Sequence, residues 1–364
     1  MNTDRISVKQ LRSLYFVSVL SPAVRLLPNS TILHAKNASW LSPLFALIPV
    51  LLYAYFLYGA AKHHKEGEGI GEMLSCGIGK PAAKTVLLLC GVWLSFYAGF
   101  LLRVDAERLY ATIYKDGNVF MFVMASLIIA LLVARTSVRG LARMAEVFLP
   151  VLVAVLGLSC VLALVDIKAE YLLPVTGEDI PGALIGAIPI INVLATGAYF
   201  LLLLENTEKA EGSRQILLRG GLWVMLGVAA VIVTVTGTLS APLANHLNNP
   251  FFVMARNLSV FGVNERVEAV VIALWVVTDL IFAAAMLRAS AAGLKAVFVF
   301  GDIKKYVWAA AAGALTGAVF CAKDAFVLSK VSEYWVPLVN LFFTCFLFPL
   351  LFLIGAVKNR RKKK

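Results

Sequence analysis

Ten apolar stretches, each long enough to cross a bilayer, occupy most of this chain, and two of them are interrupted near their middles. Crossing a hydrocarbon core of roughly 30 Å takes about 20 residues of helix. The stretches predict helices at about 11–34, 40–61, 84–108, 119–134, 141–165, 181–204, 216–238, 267–290, 305–326 and 333–357. The first interruption is Ser21-Pro22, inside the run from Leu11 to Leu33. The second is Asn192 to Gly197, inside the run from Pro181 to Leu204. Main-chain groups left open in hydrocarbon each cost several kcal/mol unless protein, water or ligand satisfies them. Transporters accept that cost where loosened backbone forms a binding site. The pattern predicts an all-α membrane protein with a small-molecule site at mid-depth.

Composition and charge exclude the main rivals. The chain is 60% hydrophobic and 15% charged, whereas soluble domains are about 45–50% apolar and about 25% charged. A net charge of +12 would suggest nucleic acid in a soluble protein, but the positions of the basic residues speak against that partner. With the N-terminus cytoplasmic, most of the 33 Lys and Arg fall on the inner side. The positive-inside rule then puts both termini in the cytoplasm, which requires an even number of spans. The basic tail from Lys358 to Lys364 reads as an anchor on anionic lipid. The first apolar stretch carries Arg25 and lacks a small-residue cleavage site, so no cleavable signal is expected. The 5 cysteines show no paired ligand spacing, and neither do His34, His63, His64 and His246. No phosphate-cradling glycine loop is present. Neither an enzyme nor a bound cofactor or metal is expected.

The whole chain, 1–364, reads as one transmembrane domain. Pro22 and Gly197 lie about half the chain apart, in the first and sixth helices, which run in opposite directions. Five helices per half make the two halves inverted copies, the first at about 6–165 and the second at about 176–357. Between Lys62 and Lys84 the run Gly69 to Gly77 predicts a short interfacial helix. The outer segment from Ser240 to Glu265 could cap a vestibule.

Candidate ligand-binding residues cluster at the interruptions. Pro22 and Pro28 each remove a helical N–H and clash with the preceding turn, giving either a simple kink or an opened backbone flanked by Ser21 and Ala23. Arg25 is expensive in hydrocarbon, and such charges mark a cavity or an ion pair. It could hold a ligand carboxylate, pair with a protein acid, or snorkel outward. Asp279 lies eleven residues after Glu268, about 16 Å along a helix, close to the bilayer centre. It is an ion-pair member, a proton-titrating site, or a neutral acid bonded to a neighbouring helix. In the sixth helix Asn192 and Thr196 offer hydrogen bonds, Gly197 permits unwinding, and Tyr199 could close a pocket. Small-residue helix packing is the competing reading of that run. Tyr97 on the third helix is a candidate for the same cavity. Arg103, Asp105, Glu107 and Arg108, near the outer end of that helix, read as a satisfied charged rim. Arg266 and Glu268 read as solvated at the outer boundary.

Several segments, in order, resemble the B subunit of bacterial spore germinant receptors, a permease-like family of the amino acid/polyamine/organocation transporter superfamily. Ile6-Ser7-Val8-Lys9-Gln10-Leu11 is similar to the family's opening Ile-Ser-x-x-Gln. Leu27-Pro28, followed by Asn37-Ala38-Ser39-Trp40-Leu41, resembles its first outer turn. Gly140-Leu-Ala-Arg143-Met-Ala-Glu146-Val-Phe-Leu-Pro150 and Leu173-Pro174-Val175 are similar to its fifth helix and the loop after it. Asn264-Glu265-Arg266-Val-Glu268, continuing to Trp275, resembles its eighth helix. The resemblance implies a LeuT-like fold, two inverted five-helix repeats with broken helices one and six and substrate bound between them. It also implies a nutrient sensor, often for an amino acid, in the spore inner membrane, partnered by a larger A subunit and a lipoprotein C subunit.

Two departures stand out. Ser21-Pro22-Ala23-Val24-Arg25 replaces the usual Gly-rich first break, and no Lys lies between Val147 and Val165 where some transporters of the superfamily carry one. A sensor that binds a small germinant and signals to partner subunits is therefore the expected function. The rivals are a proton-coupled amino acid symporter using Asp279 and a scaffold whose pocket has decayed.

Overall fold

A computed structural model describes residues 4–63, 70–112, 118–208, 213–247, 249–258, 267–298, 300–320 and 324–349. The Asn264-Glu265-Arg266 motif and the Lys358–Lys364 tail lie outside the described residues, as does the side chain of Glu268. Regular structure among the described residues is helical, apart from one parallel bridge between Ile6 and Thr207.

The first half contains α1 (Val8–Ala35), a 3-10 turn (Lys36–Leu41), α2 (Ser42–His63), α3 (Ile70–Ile78), α4 (Lys80–Thr112), α5 (Val119–Arg135) and α6 (Val138–Ala163). Short α7 (Ala169–Leu172) leads to α8 (Ile180–Ala195), which continues as a 3-10 helix (Thr196–Asn206). Then come α9 (Ser213–Leu239), α10 (Ala241–Asn245), α11 (Pro250–Asn257), α12 (Val267–Phe298) and α13 (Ile303–Phe320). The last described run joins α14 (Ala325–Lys330) and α15 (Val336–Leu341) through π-helical turns at Val331–Trp335 and Phe342–Leu347. Six stretches among the described residues are long and apolar enough to cross a membrane by length and composition.

Local chemistry explains where the helices begin. Ser7 accepts from the Gln10 N–H while the Gln10 side chain accepts from the Ser7 N–H, so Ile-Ser-x-x-Gln is a capping box. Ile6, just before it, donates to Asn206 O at 2.8 Å and accepts from Glu208 N at 2.9 Å. The start of α1 is thereby tied to the end of the 3-10 helix. Gln10 also donates to Glu146 of α6 at 3.1 Å. Asn118, Ser137 and Asp324 cap α5, α6 and α14 in the usual side-chain manner. The helix expected at 305–326 ends at Phe320, and the next begins at Ala325 behind the Asp324 cap.

α1 runs through the middle, against α6, α8, α9 and α12, while α4 packs along α12 and α13. Close approach there depends on small residues. Gly91 faces Leu294, Gly313 and Gly317 face Ser95 and Phe96, and Ser95 Oγ meets Ser290 Oγ at 2.8 Å. Large apolar side chains such as Ile48, Leu52, Val147 and Leu158 point outward, as lipid contact requires. The expected interfacial helix is α3, and it packs on α4 with Leu74 buried. α10 and α11 lie over the ends of α1 and α12, where Phe251 and Phe252 flank Trp275.

The two expected breaks differ. α1 is α-helical from Val8 to Ala35 with Pro22 and Pro28 inside it, so the opened stretch expected around Ser21-Pro22 is corrected to a continuous helix. Each proline withholds one N–H without unwinding the turn, which neighbouring helices can tolerate. The sixth helix does change form: its α winding stops at Ala195 and 3-10 winding takes over at Thr196. A stretch of 3-10 helix this long is unusual and marks a hinge or strain.

Candidate functional site

Ser18, Ser21 and Arg25 recur at three and four residues on α1, so they share one face. On α12 the same spacing aligns Trp275, Asp279 and Phe282, and on α4 it aligns Trp93, Tyr97, Leu101, Asp105 and Arg108. The three faces meet. Arg25, only 3% exposed, donates from Nη1 to Asp279 Oδ2 and to Asp105 Oδ1, each at 2.7 Å. Ser21 Oγ donates to Asp279 Oδ1 at 2.7 Å. Arg108 stands further off, 3.6 Å from Asp105 and 3.8 Å from Asp279, with its guanidinium 5.8 Å from the Trp275 ring centroid. Two cations and two carboxylates therefore balance in the interior. That balance matters because a buried charge without a partner costs several kcal/mol.

A second constellation lies along α4. Tyr199 donates to Asn340 Oδ1 at 2.8 Å, and Trp93 Nε1 reaches both the Tyr199 hydroxyl and Asn340. Tyr97 stacks on Trp93 with a 10° interplanar angle, meets Phe282 edge-on, and lies 6.5 Å from Tyr199. Tyr97 and Asp105 are eight residues apart, about 12 Å along α4, so the aromatic and charged groups are neighbouring levels of one interior.

The change of winding in the sixth helix has its own partners. Tyr15 donates to Leu194 O at 3.1 Å, and Tyr53 donates to Ala195 O at 3.0 Å. The carbonyls at the switch thus receive phenol protons from α1 and α2, which satisfies polar backbone that hydrocarbon could not. A Cβ placed on Gly197 would lie 2.5 Å from Tyr15 Cε2, so only glycine leaves the ring its seat. Tyr15→Phe is expected to cost about 1 kcal/mol, measured as the loss in unfolding free energy of the purified protein in detergent. An unchanged value would show that the Leu194 carbonyl does not depend on the phenol.

Two cavities flank these groups. One, of about 70 Å³, is bounded by Tyr15, Tyr53, Gly197 and Gly221 among others. The other has about 30 Å³ and is lined by Asp105, Arg108, Trp275, Asp279, Asn249 and Ser126. The smaller has room for about two waters. Among the described residues the Trp275 indole N–H, buried at its edge, finds no hydrogen-bond partner, and neither does Arg25 Nε.

The candidates named from the sequence fall into three places. Ser21, Arg25 and Asp279 are joined by hydrogen bonds, Tyr97 and Tyr199 face each other, and Gly197 seats Tyr15. Ala23 is buried in the apolar cluster of Val19, Leu27, Ala46 and Val50, away from the charges. Thr196 bonds back to Val193 O at 2.7 Å, and the Oδ1 of buried Asn192 finds no partner among the described residues. The reading of residues 103–108 as a rim is corrected in part. Arg103 and Glu107 pair with each other at 2.6 Å, but Asp105 and Arg108 turn inward to the Arg25–Asp279 pair. Their position on the Trp93–Tyr97 stripe was the available signal. Trp93, Tyr15 and Tyr53 carry no sequence signal, since aromatic residues on an apolar helix give no warning of a polar role, whereas Asn340 in an apolar stretch is a signal the sequence reading leaves unused. Among the described residues no group of His, Cys, Asp and Glu gathers to hold a metal.

A family model described as spore germination protein matches residues 5–322. The chain belongs to the spore germination protein family. No curated protein matches it. Its structure is similar to that of Mhp1, a nucleobase-cation-symport-1 family transporter in a closed conformation with bromovinylhydantoin bound. The TM-score is 0.61 at 14% identity, over 98% of this chain and 91% of that one. It is also similar to MhsT in complex with L-phenylalanine, with a TM-score of 0.63 at 14% identity, over 95% of this chain and 98% of that one. These likenesses show the fold, the LeuT-like arrangement expected from the sequence. Family and fold are those of membrane permeases and not of enzymes. The family member is an integral membrane protein of permease or receptor type.

Proposed function

We propose that this protein is the nutrient-sensing subunit of a spore germination receptor, binding a small zwitterion such as an amino acid at mid-membrane. The observation that carries the reading is the balanced cluster of Arg25, Arg108, Asp105 and Asp279 between α1, α4 and α12. A ligand with one positive and one negative group can exchange into such a network without leaving a net buried charge, whereas a simple ion cannot. The ligand ammonium takes the place of Arg108, which stands 3.6 and 3.8 Å from the two carboxylates. The ligand carboxylate then meets Arg108 or the unpartnered Trp275 N–H. Ser21, bonded to Asp279, stands beside the exchange, with Tyr97 and Tyr199 one level along α4; Ala23, Asn192, Thr196 and Gly197 lie outside it. The two halves, about 6–165 and 176–357, rock against each other around this point, and the motion passes to an A subunit and a lipoprotein C subunit. In this reading the protein sits in the spore inner membrane with both termini cytoplasmic.

A proton-coupled amino acid symporter is the second reading, favoured by two carboxylates, Asp279 buried and Asp105 nearly so, sharing one guanidinium nitrogen. The deciding experiment uses spores whose own copy is replaced by Arg108→Gln or Asp105→Asn at normal protein levels, alongside uptake of labelled amino acids into vesicles holding the chain alone. The sensor reading expects germination to fall at least tenfold with no uptake in any vesicle. Uptake driven by a pH gradient, abolished by Asp279→Asn, would establish the symporter instead.

A further inference from the structure

We infer that the larger cavity, between α1, α2, α9 and the 3-10 helix, is a seat for one acyl chain of an anionic phospholipid whose phosphate meets Arg12 and Arg219. This site is separate from the proposed nutrient site and does not depend on it.

The lining decides the chemistry of the occupant. The wall is almost wholly apolar, and its two phenols, Tyr15 and Tyr53, already donate to Leu194 O and Ala195 O. A polar solute would find no free hydroxyl donor there, while a hydrocarbon tail loses nothing. The space exists because small residues surround it: Ala54, Ala195, Gly197, Gly220 and Gly221. A Cβ on Gly221 would meet only the Ala54 Cβ, at 3.7 Å. Protein interiors pack to crystal-like density, and an empty space of this size forfeits dispersion contacts along its whole lining. At membrane depth the abundant apolar filler is the lipid acyl chain.

Charge at the rim decides the headgroup. The Arg12 stem lies over Gly220, whose Cβ would stand 3.5 Å from Arg12 Cδ, so the cavity is edged by a guanidinium. Arg219, the residue before Gly220 on α9, is exposed. Neither arginine forms an ion pair among the described residues. A basic residue at a membrane surface favours anionic lipid by about fivefold, so two favour it by about 25-fold together. A seated chain would also press on Tyr15 and Gly197, the point where α8 changes winding.

The test is native mass spectrometry of the full chain released from nanodiscs of phosphatidylcholine and phosphatidylglycerol in equal parts. The expected spectrum shows one retained phosphatidylglycerol, in about 25-fold excess over phosphatidylcholine. Gly221→Leu and Ala54→Leu, which fill the space from α9 and from α2, are each expected to lose it. Arg12→Gln is expected to keep a lipid but cut the preference by about fivefold. Whichever filled variant retains a cooperative melting transition is the one compared. Retention equal to wild type in that variant overturns the proposal, as does equal retention of the two lipids by the wild type. A free fatty acid or an apolar amino acid found in place of phospholipid overturns it as well.

Discussion

Arg25→Ala is expected to lower unfolding stability by about 3–5 kcal/mol, the usual cost of removing one partner from a buried ion pair. Two carboxylates lose their shared donor at once, and Arg108, at 3.6 and 3.8 Å, is too far to serve both. The same logic gives a sharper expectation for a double variant. With Arg25→Met and Asp279→Leu together, Asp105 keeps Arg108, no net charge remains, and most of the lost stability should return. Denaturant unfolding of the purified protein in detergent measures both. If the double variant is no better than the single one, the cost lies in packing and not in the charges. The nutrient response is expected to be lost in both, because the network that would accept a zwitterion is gone.

Gly99→Ala is expected to cost about 3 kcal/mol or more, at the upper end for overpacking. An added Cβ would run into the main chain of Ala314 on α13, and backbone cannot rotate aside as a side chain can. The helices α4 and α13 would have to separate, disturbing the stripe that carries Tyr97 and Asp105. Gly157→Ala on α6 is the control. Nothing lies within 4 Å of its added methyl, so the exchange should stabilise the helix by about 0.5–1 kcal/mol. Melting temperatures of the two variants, moving in opposite directions, check the pair. A Gly99→Ala protein as stable as wild type would mean that α4 and α13 have slack between them.

Much of the architecture was legible because membrane helices announce themselves by length and apolarity. The predicted boundaries of α1, α5 and α6 fall near those observed, α12 starts where expected but runs on to Phe298, and an ion pair with a protein acid is one of the roles the sequence offers for Arg25. What was not legible follows a common cause. Asp105 looked like one member of an outer charged rim because four charges within six residues resemble a solvated helix end. Whether Asp105 or Glu107 turns inward depends on which face of α4 meets α1 and α12. The α4 segment puts Asp105 on the Trp93–Tyr97 stripe, but nothing in it says that this stripe is the face that meets α1 and α12.

The two interruptions make the same point from the backbone. Proline is a strong local signal, and Pro22 and Pro28 suggested that α1 opens. Yet a missing N–H removes one rung and leaves the winding to the neighbours, and packing against α6, α8, α9 and α12 keeps α1 helical. The sixth helix has only Gly197 and small neighbours at its switch, and there the winding does change, because Tyr15 and Tyr53 supply the donors its carbonyls need. Composition and periodicity by themselves determined the membrane environment, the helical class and the rarity of interior charge, since each is a matter of transfer from water to lipid, residue by residue. Which charges meet, which break opens and where space remains were decided only when the helices packed, because those are properties of surfaces brought together from opposite ends of the chain.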